Sequence, residues 1–281
     1  MGLKNQLRKL AKKRPADFFG VAHVSRFKEA PKFHRPRDIL PESKSVLSVG
    51  IKIPQGVRKA NHRSFSKKGM RDAIFIYQMH GYVTINDKLN RIAYSLTNFL
   101  ENQGFISTPI PASAPSNRKN LVGIFSNRHA AVAAGQAGFG WNTLAITEEA
   151  GPRVRWVSVL TSADIPPDPL LKGDICDRED CNKCVEVCPV GAIPNAESVE
   201  LAMEGKKFVY SKLIKERCRT GGVSGLSTKM AEQKFELPTN PGPDDYLKAL
   251  DKESSWHKME RIASMCGRCI IECPVGSEKI Y

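Results

Sequence analysis

The chemistry this sequence offers is carried by its cysteines. Cys176, Cys181, Cys184 and Cys188 stand in the run CDREDCNKCVEVCP, which Pro189 closes. Cys266, Cys269 and Cys273 stand in CGRCIIECP near the C-terminus, and Cys218 lies between the two runs. None of the eight cysteines precedes Cys176. A cubane iron–sulfur cluster needs four thiolates converging on one small volume, most of them from a short turn and one from a distant Cys-Pro. Eight thiolates make two such sets.

In bacterial two-cluster modules the cysteine before the proline ligates the other cluster, so the two runs interlock. Applied here, the first cluster takes Cys176, Cys181, Cys184 and the remote Cys273. The second takes Cys266, Cys269, the remote Cys188, and Cys218 in place of a missing local first cysteine. The x4 gap between Cys176 and Cys181 departs from the usual two residues. Disulfides would need an oxidising compartment, and CxxCxxxCP twice over is not a usual zinc spacing. The expectation is therefore two 4Fe–4S clusters in a ferredoxin-like module, with low potentials near roughly −400 mV within their range. A low-potential donor of the ferredoxin or flavodoxin type would feed them.

A relay alone needs far fewer residues than this chain has, so the residues ahead of the cysteines must bind what gives or takes the electrons. Leu47, Val49, Ile51 and Ile53, with Val46 just ahead, predict a buried strand closed by Pro54. Residues 55–69, basic and poor in apolar side chains, read as a surface loop. Helical periodicity dominates from Met70 to Asn102, with Leu89, Ile92, Ala93, Leu96, Phe99 and Leu100 on one face and Gly104 at its stop. Phe105–Ile110 reads as a strand and His129–Ala137 as a small-residue helix. Short strands are expected at Thr143–Thr147 and Arg155–Thr161. The segment from Phe18 to Asp38 has no clear pattern. Ile165–Pro169, IPPDP, propagates neither helix nor central strand and marks a boundary. The fold class expected is α/β (α+β), with an α/β domain over residues 1–170 and a two-cluster module over 171–281.

The chain has 281 residues, a formal charge of +14 and 41% hydrophobic residues, an ordinary soluble composition with room for a full core. The charge fits an acidic protein partner, RNA, a membrane surface or a phosphate-bearing ligand, or a merely solvated basic surface. Leu3, Leu7 and Leu10 line one face of a basic N-terminal helix that Pro15 ends, and packing is its expected use. That helix lacks the apolar core of a secretory signal, and no run reaches the ~20 apolar residues of a membrane span, so a cytoplasmic location is expected.

With the cysteines placed, the upstream runs become recognisable. LPESKSVLSVGIKIP, LNRIAYSLTNFLENQGF and HAAVAAGQAGFGWNTLAITEEAGPRVRWVSVLTSADIPPD, in that order before the cysteines, resemble the family of epoxyqueuosine reductases and reductive dehalogenases. The likeness runs from about Leu40 to Pro274. It implies a nitroreductase-like cobalamin-binding domain fused to the two-cluster module, with electrons passing to a corrinoid that reduces a small electrophilic substrate. In that light Gly135, Gly138 and Gly140, with Trp141 and Asn142, would let backbone approach the macrocycle, whereas the residues alone favour tight helix–strand packing.

Two departures from the family pattern bear on the substrate. The position that resembles the acidic proton donor of epoxyqueuosine reductases is Ala112, and the chain ends at Tyr281, where those enzymes commonly continue into a helical extension that helps hold tRNA. Both argue against epoxyqueuosine, leaving RNA as a third and weaker reading. The dehalogenase pattern of a tyrosine donor with a basic support points to Tyr77 and Tyr82, backed by Arg128 or His129. The twin-arginine export signal of respiratory dehalogenases is absent. The competing expectation is an electron carrier or reductive activator with no substrate of its own.

Overall fold

The computed structural model describes residues 2–66, 73–113, 115–117, 122–218, 242, 244, 245 and 266–276. Its centre is a four-stranded sheet in which Ser45–Lys52 and Val154–Thr161 are the inner strands and Phe18–His23 and Ser107–Ile110 the edges. Every pairing is antiparallel, with Val46 opposite Leu160 and Gly50 opposite Trp156. The mixed architecture is thus α+β, without the parallel crossovers of a doubly wound sheet.

Alternation sets which side each inner residue faces. Leu47, Val49, Ile51 and Ile53 enter one core with Leu7, Leu89, Leu96 and Val159. Val46, Trp156 and Leu160 enter the other with Ala130–Ala134. Both inner strands are buried almost throughout because helices cover both faces. The Leu3–Lys13 and Thr84–Glu101 helices cover the first face, and Asn127–Ala133 the second. The N-terminal helix packs as its leucines imply: Leu7 and Ala11 are fully buried, with Leu3 and Leu10 against the same core.

Three elements differ from the sequence reading. Gln55–Ser64, expected as a loop, is a helix with Arg58, Asn61 and Ser64 buried. Its inner face is polar, which is why no apolar period marks it. Phe18–His23, without a clear pattern, is an edge strand. The periodic region from residue 73 onward is helical, but its Tyr77–Val83 part winds as a π-helix.

The segment around Ile165–Pro169 is clamped to the sheet. The Asp168 carboxylate accepts from the Val21 N–H at 2.9 Å and pairs with Lys4 at 2.7 Å, while the Asp168 N–H donates to the Val21 carbonyl. Beyond it, Ser198–Met203 and Lys206–Ser211 form a hairpin that the sequence reading did not contain. Buried Arg26 ties this hairpin down, pairing with Glu204 at 2.8 Å and donating to the Ala133 and Asp168 carbonyls. Apart from residues 242, 244 and 245, the Gly/Pro-rich segment 219–245 lies outside the described residues.

Candidate functional site

The thiols gather into two groups where the cysteine segments meet the sheet domain. Cys176, Cys181, Cys184 and Cys273 line one cavity of about 80 Å³, walled by Trp141, Ile146, Ile175 and Val275. Burial pushes the Cys184 thiol up to about 12, with further contributions from Cys176, Cys273 and Cys181. Burial likewise raises Cys273 to about 11, and Cys176 and Cys181 add to it. In the second group, burial raises Cys266 to about 11 with Cys188 contributing. Cys269 is raised well above its ordinary value, by burial and then by Cys266, Cys218, Cys188 and Cys184. That last neighbour belongs to the first group, so the two groups adjoin. All eight cysteines are free thiols.

Among the described residues no three His, Cys, Asp or Glu side chains close on a point as a single ion needs, and four of the thiols ring a cavity instead. The donor set and the apolar wall fit a cubane cluster. Buried thiols held this close would repel as thiolates, so bound cations are what would allow them to ionise together.

The sheet domain fixes both groups through the loop carbonyls and sulfurs. The Trp141 N–H donates to Cys176 Sγ at 3.4 Å, and the Trp141 indole donates to the Pro194 carbonyl at 2.9 Å. Arg178 covers the same indole at 4.2 Å. Asn142 Nδ2 donates to the Cys269 carbonyl at 3.2 Å, so adjacent residues of one turn hold one segment each. Asn61, on the unforeseen helix, donates to the Cys266 carbonyl at 2.9 Å. Its neighbour His62 meets Glu272 at 2.7 Å. Buried Arg153 donates to the Cys273 and Val275 carbonyls. Asn61 and Arg153 carry no sequence signal, because each acts on backbone more than a hundred residues away.

The three glycines face the chain itself. A Cβ at Gly135 would stand 1.9 Å from the Pro169 carbonyl oxygen, and one at Gly140 2.1 Å from Ile146 Cδ1. At Gly138 a Cβ would meet only Ile175, at 3.8 Å. Close packing therefore accounts for Gly135 and Gly140, and among the described residues no feature marks a corrinoid cradle at these glycines.

The remaining candidates fall in two places: Tyr77 and Tyr82 on the Tyr77–Val83 stretch, near enough to feel one another's charge, and Arg128 and His129 on the Asn127–Ala133 helix. Tyr77 is fully buried against the Cys266–Cys269 loop. Tyr82 lies nearer the surface, hydrogen-bonded through its hydroxyl to exposed Ser113. The Arg155 guanidinium stacks 4.0 Å over the Tyr82 ring, and Asn86 accepts from Arg155 at 3.1 Å. Ala112, beside Ser113, is buried, and its N–H donates to Asn90 at 2.8 Å. Arg128 donates to the Thr143 carbonyl and hydroxyl at 2.5 and 2.7 Å, holding the turn after Asn142. Burial lowers its affinity for a proton, while Tyr210 and Cys218 raise it. His129 is pushed down to about 3 by burial and then by Arg128, so it is neutral, between Ser126 and Tyr210. A larger depression of about 270 Å³ at His23, Phe27, Lys28, Arg35 and Arg37 shares no residue with the thiol cavity and holds no cysteine.

No protein-family model matches the chain. Curated relatives do, among them the epoxyqueuosine reductase of Bacillus cereus, 27% identical over 164 residues, and that of Listeria monocytogenes, 30% identical over 162. Over that stretch the chain is similar to the epoxyqueuosine reductases. Each match covers 56% of this chain and 38% of the relative, so the likeness spans little more than a third of those proteins. Among solved structures, epoxyqueuosine reductase from Streptococcus thermophilus superposes with a TM-score of 0.55 at 16% identity, over 99% of this chain and 68% of that one. A reductive dehalogenase described as B12-dependent superposes at 0.53 and 15% identity, over 95% and 37%. An epoxyqueuosine reductase bound to a modified tRNA stem loop does so at 0.51 and 18%, over 96% and 79%. The fold is the one these enzymes share.

Proposed function

We propose that this chain is an iron–sulfur oxidoreductase whose residues 171–281 hold two 4Fe–4S clusters and whose residues 1–170 hold the electron acceptor. The observation that carries this is the pair of adjoining four-thiol groups, each pinned to the sheet domain by one residue of the Trp141–Asn142 turn. Cys176, Cys181, Cys184 and Cys273 would hold one cluster, and Cys188, Cys218, Cys266 and Cys269 the other. The reaction class is reductive cleavage of a small electrophilic substrate, a halide or an epoxide. A bound corrinoid would supply the low-valent metal chemistry, as the B12-dependence of the dehalogenase neighbour supports.

For the proton, Tyr82 is the best-placed candidate. Its hydroxyl bonds to Ser113, next to the position where the family's acid is replaced by Ala112, and the Arg155 guanidinium lies over its ring. Tyr77 lies deep and Arg128 is engaged with Thr143, so both support the site rather than face a substrate. The tRNA-bound neighbour makes an RNA-borne epoxide one substrate class to test. Binding that weakens steeply with salt would mark phosphate contacts.

A second reading, an electron carrier without its own substrate, is favoured by Ala112 and by the filled glycines. Adding cobalamin to anaerobically purified protein decides between them. Tight uptake with a changed corrinoid spectrum, followed by turnover of a halide or epoxide, supports the enzyme. Loaded clusters with no uptake support the carrier and direct the search to its partner.

A further inference from the structure

Tyr77 is a buried polar side chain to which the proposed reaction gives no chemical step. It is 0% exposed, and its hydroxyl has no hydrogen-bond partner among the described residues. A buried hydroxyl left unpaired costs its full desolvation, so an acceptor belongs beside it in the working protein. The nearest surface is the inner side of the Cys266–Cys269 loop. A Cβ on Gly267 would stand 2.4 Å from Tyr77 Cζ and 2.7 Å from its hydroxyl oxygen, and Gly267 has φ +68°. Only glycine suits that position, for its backbone and for the approach of the phenol. On the other side, a Cβ on Gly81 would stand 2.8 Å from the ring. Tyr77 also opens the π-helical Tyr77–Val83 stretch, and such turns recur at functional sites.

We propose that the Tyr77 hydroxyl donates a hydrogen bond to a sulfur of the cluster held by Cys188, Cys218, Cys266 and Cys269, and so raises that cluster's reduction potential. This rests on the two-cluster reading above. Reduction adds negative charge to the cluster, and a donor fixed in a low-dielectric interior stabilises the reduced form more than the oxidised one. The hydroxyl keeps its proton throughout. Tyr77 is thereby a positioning residue for the electron, and it tunes one cluster only, since its contacts are to the second loop.

Redox titration of the loaded, full-length protein, followed by electron paramagnetic resonance, tests this. Tyr77→Phe keeps the ring and removes the hydroxyl. The ratio of reduced to oxidised second cluster at a fixed potential should fall about tenfold, a midpoint lowered by about 59 mV for one electron, while the first cluster does not move. 3-Fluorotyrosine placed at position 77 keeps the hydroxyl as a stronger donor and should move the same midpoint upward. An unmoved second cluster in both variants, or equal shifts in the two clusters, overturns the inference. If Tyr77→Phe fails to hold the second cluster, the fluorotyrosine variant decides alone. Iron for fewer than two clusters in the wild-type chain sinks the two-cluster reading itself, a different result from two loaded clusters that ignore Tyr77.

Discussion

Two cysteines separate the roles of the thiol groups most cleanly. Cys184 shares a cavity with Cys176, Cys181 and Cys273, whereas Cys218 bears on Cys269. Cys184→Ser should therefore abolish or weaken the signal of the first cluster, and Cys218→Ser that of the second with the first intact, read as iron content and spectra of the reduced protein. Full iron and both signals in Cys218→Ser would refute the assignment. Tyr82→Phe should lower turnover by roughly 10²–10⁴-fold, the usual weight of a positioned proton donor, without changing iron content. The grouping of the cysteines was legible because short spacings keep Cys176, Cys181 and Cys184 together at one cavity. The residues that hold their loops were not, because Asn61 and Arg153 act through hydrogen bonds to backbone carbonyls far along the chain.

At the level of elements, the cysteine loops are positioned from the sheet outward. Arg153 directly precedes the inner strand Val154–Thr161 and reaches the carbonyls on either side of Pro274, both from a buried guanidinium. Arg153→Ala should cost about 2–3 kcal/mol through loss of charged hydrogen bonds. Because Cys273 sits at that turn, the variant should also lose its first cluster faster in air, measured by bleaching, while the second bleaches at the wild-type rate. The inner strands were legible as alternating or continuous apolar runs, and Leu47, Val49, Ile51 and Ile53 share a core as their spacing requires. The Gln55–Ser64 helix was not, since its buried face is Arg58, Asn61 and Ser64 and turns toward the second cysteine loop. The hairpin at 198–211 was hidden in the same way. Its strands alternate, but four of the six residues of the Ser198–Met203 strand are exposed, and its anchors are the Arg26–Glu204 pair and the contact of Phe208 with Phe139.

For the whole molecule, acid stability has an identifiable contributor. His129 is held neutral by burial, down to about 3 from an ordinary 6.5. A group whose folded value is depressed contributes stability that is present above the unfolded value and is lost as pH falls. Below about 6.5 the unfolded chain takes up a proton that the folded chain refuses, so stability should decline from there toward pH 3, with a slope approaching one proton. His129→Gln should flatten that slope in chemical denaturation across pH 5–7. The charge of +14 speaks to partners rather than to fold, and among the described residues no helix is long and apolar enough to cross a membrane. What the whole chain is built to do depends on whether its two thiol groups carry clusters. The direct measurement is iron, acid-labile sulfide and zinc on anaerobically purified protein. Roughly eight irons and eight sulfides per chain, as two cubanes require, are expected, with zinc near zero. Zinc in their place, or iron for a single cluster, would contradict the account.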